Sequence, residues 1–172
     1  MRTVVIEFAK IDPELTKRLG QIAIKWTVIE EWLGHMLGTL IDADLGGANV
    51  LTSEMGAAAV IKAIKNCIAI NEPKQPELSA VRELIEDADE LRGERNIYIH
   101  GVWELGPQPD TALVQTTGWQ RPEIIRSRLV TTTDLDHLLA DFDHFMRRFV
   151  ELGIAFGFPR KREETRSIFL QP

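Results

Sequence analysis

Asp12-Pro13 opens the longest periodic pattern in the chain. Asp supplies an N-cap side chain, and Pro is preset for the first helical position. Leu15, Leu19, Ile22, Ala23, Trp26, Leu33, Leu37 and Leu40 then recur at helical spacing. This predicts a helix from about Pro13 to about Ile41, with Gly46-Gly47 ending the region. Long helices with short connections favour antiparallel neighbours, so the segment points to an up-and-down bundle.

The rest of the chain supplies the partners. A second helix is predicted from Thr52 or Ser53 to about Ile70, with Ala57, Val60, Ile61, Ile64, Cys67 and Ile68 as its apolar face. Pro73 and Pro76 break the chain. A third helix follows from about Glu77, through Leu84, Ala88 and Leu91, to about His100. Val102–Leu105 and Ala112–Thr116 read as two strands joined by the turn Gly106-Pro107-Gln108-Pro109-Asp110. A third short strand is read around Arg128–Thr132, and another over residues 3–8. Thr133 or Asp134 caps a fourth helix carrying Leu135, Leu138, Leu139, Phe142, Phe145, Phe149 and Leu152. The expected fold is mainly α: a four-helix up-and-down bundle with a β-hairpin inserted between helices three and four. It forms a single domain over 1–172, with a C-terminal tail over 153–172.

The chain has 172 residues, enough for a sizeable core without disulfides. Its single cysteine, Cys67, excludes an internal disulfide framework and a cysteine-based zinc cluster. The net charge of −6 argues against nucleic-acid binding driven by bulk charge. The charge is uneven, however. Residues 1–90 hold 9 Lys and Arg against 15 Asp and Glu, whereas residues 91–172 hold 11 of each. No stretch is apolar enough to span a bilayer, and Met1–Phe8 has no run suited to a signal peptide, so a cytoplasmic location is expected.

The chemically loaded segment is Arg95-Asn96-Ile97-Tyr98-Ile99-His100. Leu84, Ala88, Leu91, Arg95, Tyr98 and Val102 follow the spacing of a buried seam, interrupted by Arg95. On the first helix Leu19, Ala23, Trp26, Glu30, Leu33 and Leu37 form a seam interrupted by Glu30. One charge on each apolar seam predicts a buried Glu30–Arg95 pair, because a buried guanidinium needs a partner. Arg92, Asn96 and His100 are spaced four apart and share one helix face. An imidazole suits proton transfer near neutral pH, and Arg suits a phosphate. A structural role is the competing reading: Arg95 as the partner of Glu30, and His100 as a helix C-cap with Gly101 in the left-handed conformation.

The pattern of Arg, a polar residue, further residues and His at the end of a third helix resembles the HEPN superfamily. Gly101-Val102-Trp103 and Trp26-Thr27-Val28-Ile29-Glu30 are similar to segments of such proteins. The resemblance covers helices one, three and four in order and character. It implies a metal-independent endoribonuclease of the kind found in toxin–antitoxin pairs or defence systems. It further implies a homodimer that joins two motifs in one cleft, RNA as substrate, and an antitoxin or nucleotidyltransferase as partner. Carried onto this chain, Arg95 and His100 become the catalytic candidates and Asn96 the polar residue beside the Arg, with Arg92 and Glu30 in support. No cofactor and no metal are expected. The superfamily also holds non-catalytic members, so a dimeric helical adaptor or regulatory binding module is the alternative.

Other groupings carry less. His137, Asp141 and His144 have metal-compatible spacing on the last helix, but their face reads as solvated. Trp103 and Trp119 suit either base stacking or packing of the hairpin.

Overall fold

The computed structural model describes residues 11–71, 73, 75, 78–108, 110–118 and 121–156. The strand expected over residues 3–8, Trp119 and the chain beyond 156 lie outside them. Among the described residues the chain forms α1 (Pro13–Leu40), α2 (Leu45–Thr52), α3 (Ala57–Asn71), α4 (Leu78–His100), β1 (Val102–Leu105), β2 (Thr111–Gly118), β3 (Arg121–Thr131) and α5 (Thr132–Phe156). The fold is mainly helical, with five helices rather than four among the described residues. The expected hairpin is a three-stranded antiparallel sheet in the order β1-β2-β3. No described helix is long and apolar enough to cross a membrane.

The described chain divides into two compact units. One joins α1 through Ile24 with Gly93–Ala140, and the other joins Lys25–Arg92 with α5 from Asp141.

In the first unit, Asp12 caps α1 as its sequence requires: Glu14 N donates to its Oδ1 at 2.8 Å and Leu15 N at 3.3 Å. Arg18 ties this end to α5, donating from Nε to Asp136 Oδ1 at 2.7 Å. The sheet's register sets its faces. Trp103, Val114 and Arg128 lie side by side, as do Leu105, Ala112 and Val130. Ala112, Val114 and Val130 are fully buried together with Leu15, Ile22, Tyr98 and Leu135, so this face is the core side.

α5 starts at Thr132 rather than at Thr133 or Asp134, because the cap is a reciprocal box. Asp134 N donates to Thr131 Oγ1 at 3.3 Å, and Thr131 N donates to Asp134 Oδ2 at 2.8 Å. The Thr131 hydroxyl also donates to Asp134 Oδ2 at 2.7 Å. Chiefly this hydroxyl, then the Thr131 amide, hold the Asp134 carboxyl below its ordinary value of 3.8, with burial opposing. A depressed carboxylate stabilises the fold above its unfolded value, and that contribution is lost as pH falls through the folded value. Asp134→Asn is therefore expected to melt lower at neutral pH, by about 1 kcal/mol of stability as for other lost caps. The gap to the parent should narrow as pH falls from about 5 to 2, as followed by thermal melts. A gap that stays constant across that range would contradict the assignment.

In the second unit, Trp26, Ile29, Leu33, Met36 and Leu37 of α1 are buried with Val60, Ile61, Ile64 and Ile68 of α3. Val81, Leu84, Ile85 and Ala88 of α4 and Phe142, Phe145 and Phe149 of α5 complete the core. Trp32 meets Phe149 edge-on, with ring centroids 5.3 Å apart. Gly38 permits close approach of α2, since a Cβ there would lie 2.4 Å from Ala48 Cβ. α2 itself is a correction. Gly46-Gly47 do not end the region but sit in the first turn of a new helix, where Gly47 N donates to the Asp44 cap at 2.6 Å.

Glu30 is a second correction. The buried stripe of α1 runs through Ile22, Trp26, Ile29, Leu33 and Met36, and Glu30 is exposed. The stripe passes one residue before Glu30, and about 100° of helical rotation per residue turns Glu30 outward. The expected burial of the Glu30 carboxylate therefore does not occur. Glu30→Ala is expected to change stability by no more than about 0.5 kcal/mol, as for ordinary surface positions. A loss of several kcal/mol in denaturant titration would show that the carboxylate is structural after all.

Candidate functional site

The last turns of α4 place the site. Tyr98 is buried between Trp103 and Arg128, with ring centroids 6.4 Å apart for the aromatic pair and Arg128 Cζ 5.4 Å from the Tyr98 centroid. Burial raises the Tyr98 phenol above its ordinary value, with Arg128 pulling the other way. Trp103 Nε1 donates to the Tyr98 carbonyl at 2.8 Å, and Arg128 Nη1 donates to Glu94 Oε2 at 2.7 Å. β1 and β3 are thus each fastened to the end of α4. Gly101 is needed for the same junction. A Cβ there would lie 2.3 Å from Val114 Cγ1 and 2.5 Å from the Ile97 carbonyl oxygen. Its backbone is not in the left-handed region, which corrects the expected C-cap geometry. Gly101 N instead donates to the Ile97 carbonyl at 3.1 Å, extending the helical ladder by one bond.

With the helix end fixed, Arg95, Asn96 and His100 come together. Arg95 is half-buried, and its Nη1 donates both to Asn96 Oδ1 and to His100 Nε2, each at 3.0 Å. A guanidinium has no acceptor, so His100 must offer a lone pair at Nε2 in this arrangement. His100 is exposed.

Asn96 and His100 line a cleft of about 360 Å³ with Gly93, Ile97, Val102, Gln115, Thr116, Thr117 and Ile125. Gln115, Thr116 and Thr117 come from β2 and Ile125 from β3. The sequence offered no signal for them, because antiparallel pairing, not local pattern, carries them to the helix end. Thr116 and Thr117 lie beyond the β1–β2 pairing, which ends at Gln115.

Two expected site residues belong to the other unit. Arg92 is engaged there, donating from Nε to Asp89 Oδ1 at 3.0 Å, while Lys65 Nζ donates to Asp89 Oδ2 at 2.8 Å. Lys65 first, then Arg92, keep the Asp89 carboxyl below its ordinary value against the effect of burial. Glu30 lines a separate cavity of about 170 Å³ with Leu33, Thr52, Met55, Ala57 and Val60. Among the described residues no cluster of three or more His, Cys, Asp or Glu is arranged to hold a metal ion.

No protein-family model, curated protein or solved structure matches this chain.

Proposed function

We propose that the protein is a metal-independent endoribonuclease of HEPN type, with His100 and Arg95 as its catalytic residues and Asn96 in support. The observation that carries this reading is the 3.0 Å contact of Arg95 with His100 at the rim of an open cleft. Arg95 Nη1 has two hydrogens, one on Asn96 and one on His100. A substrate phosphate competes for the second, since charge-assisted bonds to an anion are stronger than those to a neutral ring. Its loss frees the Nε2 lone pair as a base.

The ribose 2′-hydroxyl then gives its proton to Nε2 while its oxygen attacks the adjacent phosphorus. The bond from phosphorus to the 5′ oxygen breaks, and a 2′,3′-cyclic phosphate remains. The leaving oxygen takes a proton from an imidazolium, supplied most directly by His100 of a second copy of the chain. Arg95 neutralises charge on the phosphoryl oxygens as it develops. DNA lacks the attacking hydroxyl and is spared.

Exposed Val102 and Ile125, which line the cleft at this helix end, support self-association there. A homodimer is expected by light scattering, and a monomer across a wide concentration range would remove the second imidazole from the scheme. Incubating the protein with a mixed RNA pool in EDTA tests the activity. Cyclic-phosphate ends are expected, and a requirement for a divalent metal would overturn the reading.

The inward bonds of Arg95 favour a second reading. An Arg that holds Asn96 and His100 in place is also what a non-catalytic binding module of the same fold requires. A partner such as an antitoxin or a nucleotidyltransferase fits either reading.

A further inference from the structure

We infer that Arg126 of β3 is a second phosphate-binding residue of this cleft, holding the phosphate next to the one at Arg95 and His100 in a single-stranded RNA. The inference rests on the ribonuclease reading for the identity of the polymer. The contact itself follows from where strand register puts Arg126 and from what its side chain lacks.

Register fixes the position. Arg126 is the cross-strand partner of Thr116, and Thr116 lines the cleft. Side chains of such a pair stand on one face of the sheet, with Cβ atoms about 4.5–5.5 Å apart. Ile125, the residue before Arg126, lines the cleft as well. Arg128 shows which face this is. It lies two residues along β3, on the same face as Arg126. Its guanidinium sits over the Tyr98 ring and donates to Glu94 Oε2, and both partners belong to α4. Arg126 therefore stands on the face that looks toward α4, beside Thr116 on the sheet wall of the cleft.

The two arginines differ in what they hold. Arg128 is engaged twice by α4, through a carboxylate and a ring. Arg126 is exposed and makes no hydrogen bond or ion pair with another described residue. The chain carries 26 Asp and Glu, yet none is among the described residues that line the cleft. An anion entering it meets no like charge on the lining. A guanidinium beside such a cleft attracts an anion, and its planar fork matches phosphate oxygens.

Spacing argues for a second phosphate rather than a second hold on the first. Arg95 is bonded to Asn96 and His100 of the α4 wall, whereas Arg126 belongs to the sheet wall. The cleft has a volume of about 360 Å³, at the lower end of the roughly 300–1,000 Å³ of small-ligand sites. That is room for a nucleotide rather than for a phosphate alone. A strand with one phosphate at His100 thus carries its next phosphate toward the sheet side.

Binding of a 2′-O-methyl RNA oligonucleotide to the full chain, followed by fluorescence anisotropy across a salt series, tests the contact without cleavage, because the methyl group blocks the attacking oxygen. Each phosphate neutralised on a single strand contributes about 0.7 to the slope of log affinity against log salt. Arg126→Ala is expected to lower that slope by about 0.7. It should also weaken binding at low salt roughly two- to fivefold, the range of an exposed charge pair. Arg126→Lys keeps the charge and should keep the slope. Arg147→Ala removes the same charge from an exposed position on α5 and should leave the slope unchanged. An unchanged slope in Arg126→Ala with the parent's circular dichroism, an equal fall in Arg147→Ala, or no binding by the parent would overturn the inference. The expected slope change in a protein that leaves unmodified RNA intact sustains the contact and removes the ribonuclease. Cleavage of RNA together with an unchanged slope does the reverse.

Discussion

His100→Ala is expected to lower RNA cleavage by roughly 10²–10⁴-fold, the usual contribution of a general acid–base group, while melting at the parent's temperature. The two halves of that expectation have different origins. The imidazole is the group in the cleft able to exchange a proton near neutral pH without a metal. Its ring is exposed at the last residue of α4, so truncating it empties no core volume. Arg95→Ala behaves differently. Arg95 is half-buried and supplies the hydrogens held by Asn96 Oδ1 and His100 Nε2, so its loss should reduce both cleavage and thermal stability. The asymmetry separates catalysis from scaffolding, because a purely structural protein shows a phenotype in the Arg95 variant alone. Cleavage that persists in His100→Ala would rule out the mechanism.

Gly101→Ala is expected to cost about 1–3 kcal/mol, the range for forcing extra atoms into a packed site. The added Cβ would meet Val114 Cγ1 at 2.3 Å and the Ile97 carbonyl oxygen at 2.5 Å. Val114 is fully buried, and the Ile97 carbonyl is fixed by its bond from Gly101 N, so neither yields without moving β2 or the last turn of α4. Gln115 follows Val114 in β2 and lines the cleft, so the same displacement should shift the β2 wall of the cleft. Gly20→Ala is the control. It makes the same change inside α1 with nothing within 4 Å of the new Cβ, and should gain about 0.5–1 kcal/mol from helix propensity. Equilibrium unfolding of the two variants measures the contrast. A Gly101→Ala protein as stable as the parent would mean that the junction is looser than its contacts indicate.

Several elements were legible before any coordinates because their causes are local. Asp12-Pro13 caps α1 through bonds spanning two or three residues, and the α3 and α5 stripes follow from one apolar face each. β3 was largely missed for a physical reason. Among the described residues it is an edge strand, and Arg126, Ser127 and Arg128 protect an edge but blur the alternation by which a strand is recognised. α2 was missed because two glycines near a helix start read as a stop, although the Asp44 cap and the close packing of Ala48 on Gly38 favour a helix there.

The sequence by itself determined that Arg95, Asn96 and His100 share the end of one helix. Residues one and five apart on a helix lie close enough for a long Arg side chain to reach both, whatever surrounds them. Only the tertiary structure decided where Glu30 and Arg92 go. Glu30 turns outward because the phase of a helix is set by the whole buried stripe, in which Ile29 is the better member. Arg92 goes to Asp89, where Lys65 of α3 completes the pairing across elements. The tertiary structure also decided that a cleft exists at all. Its second wall is made by Gln115, Thr116 and Thr117, residues that only strand register and the close approach at Gly101 bring to the helix end.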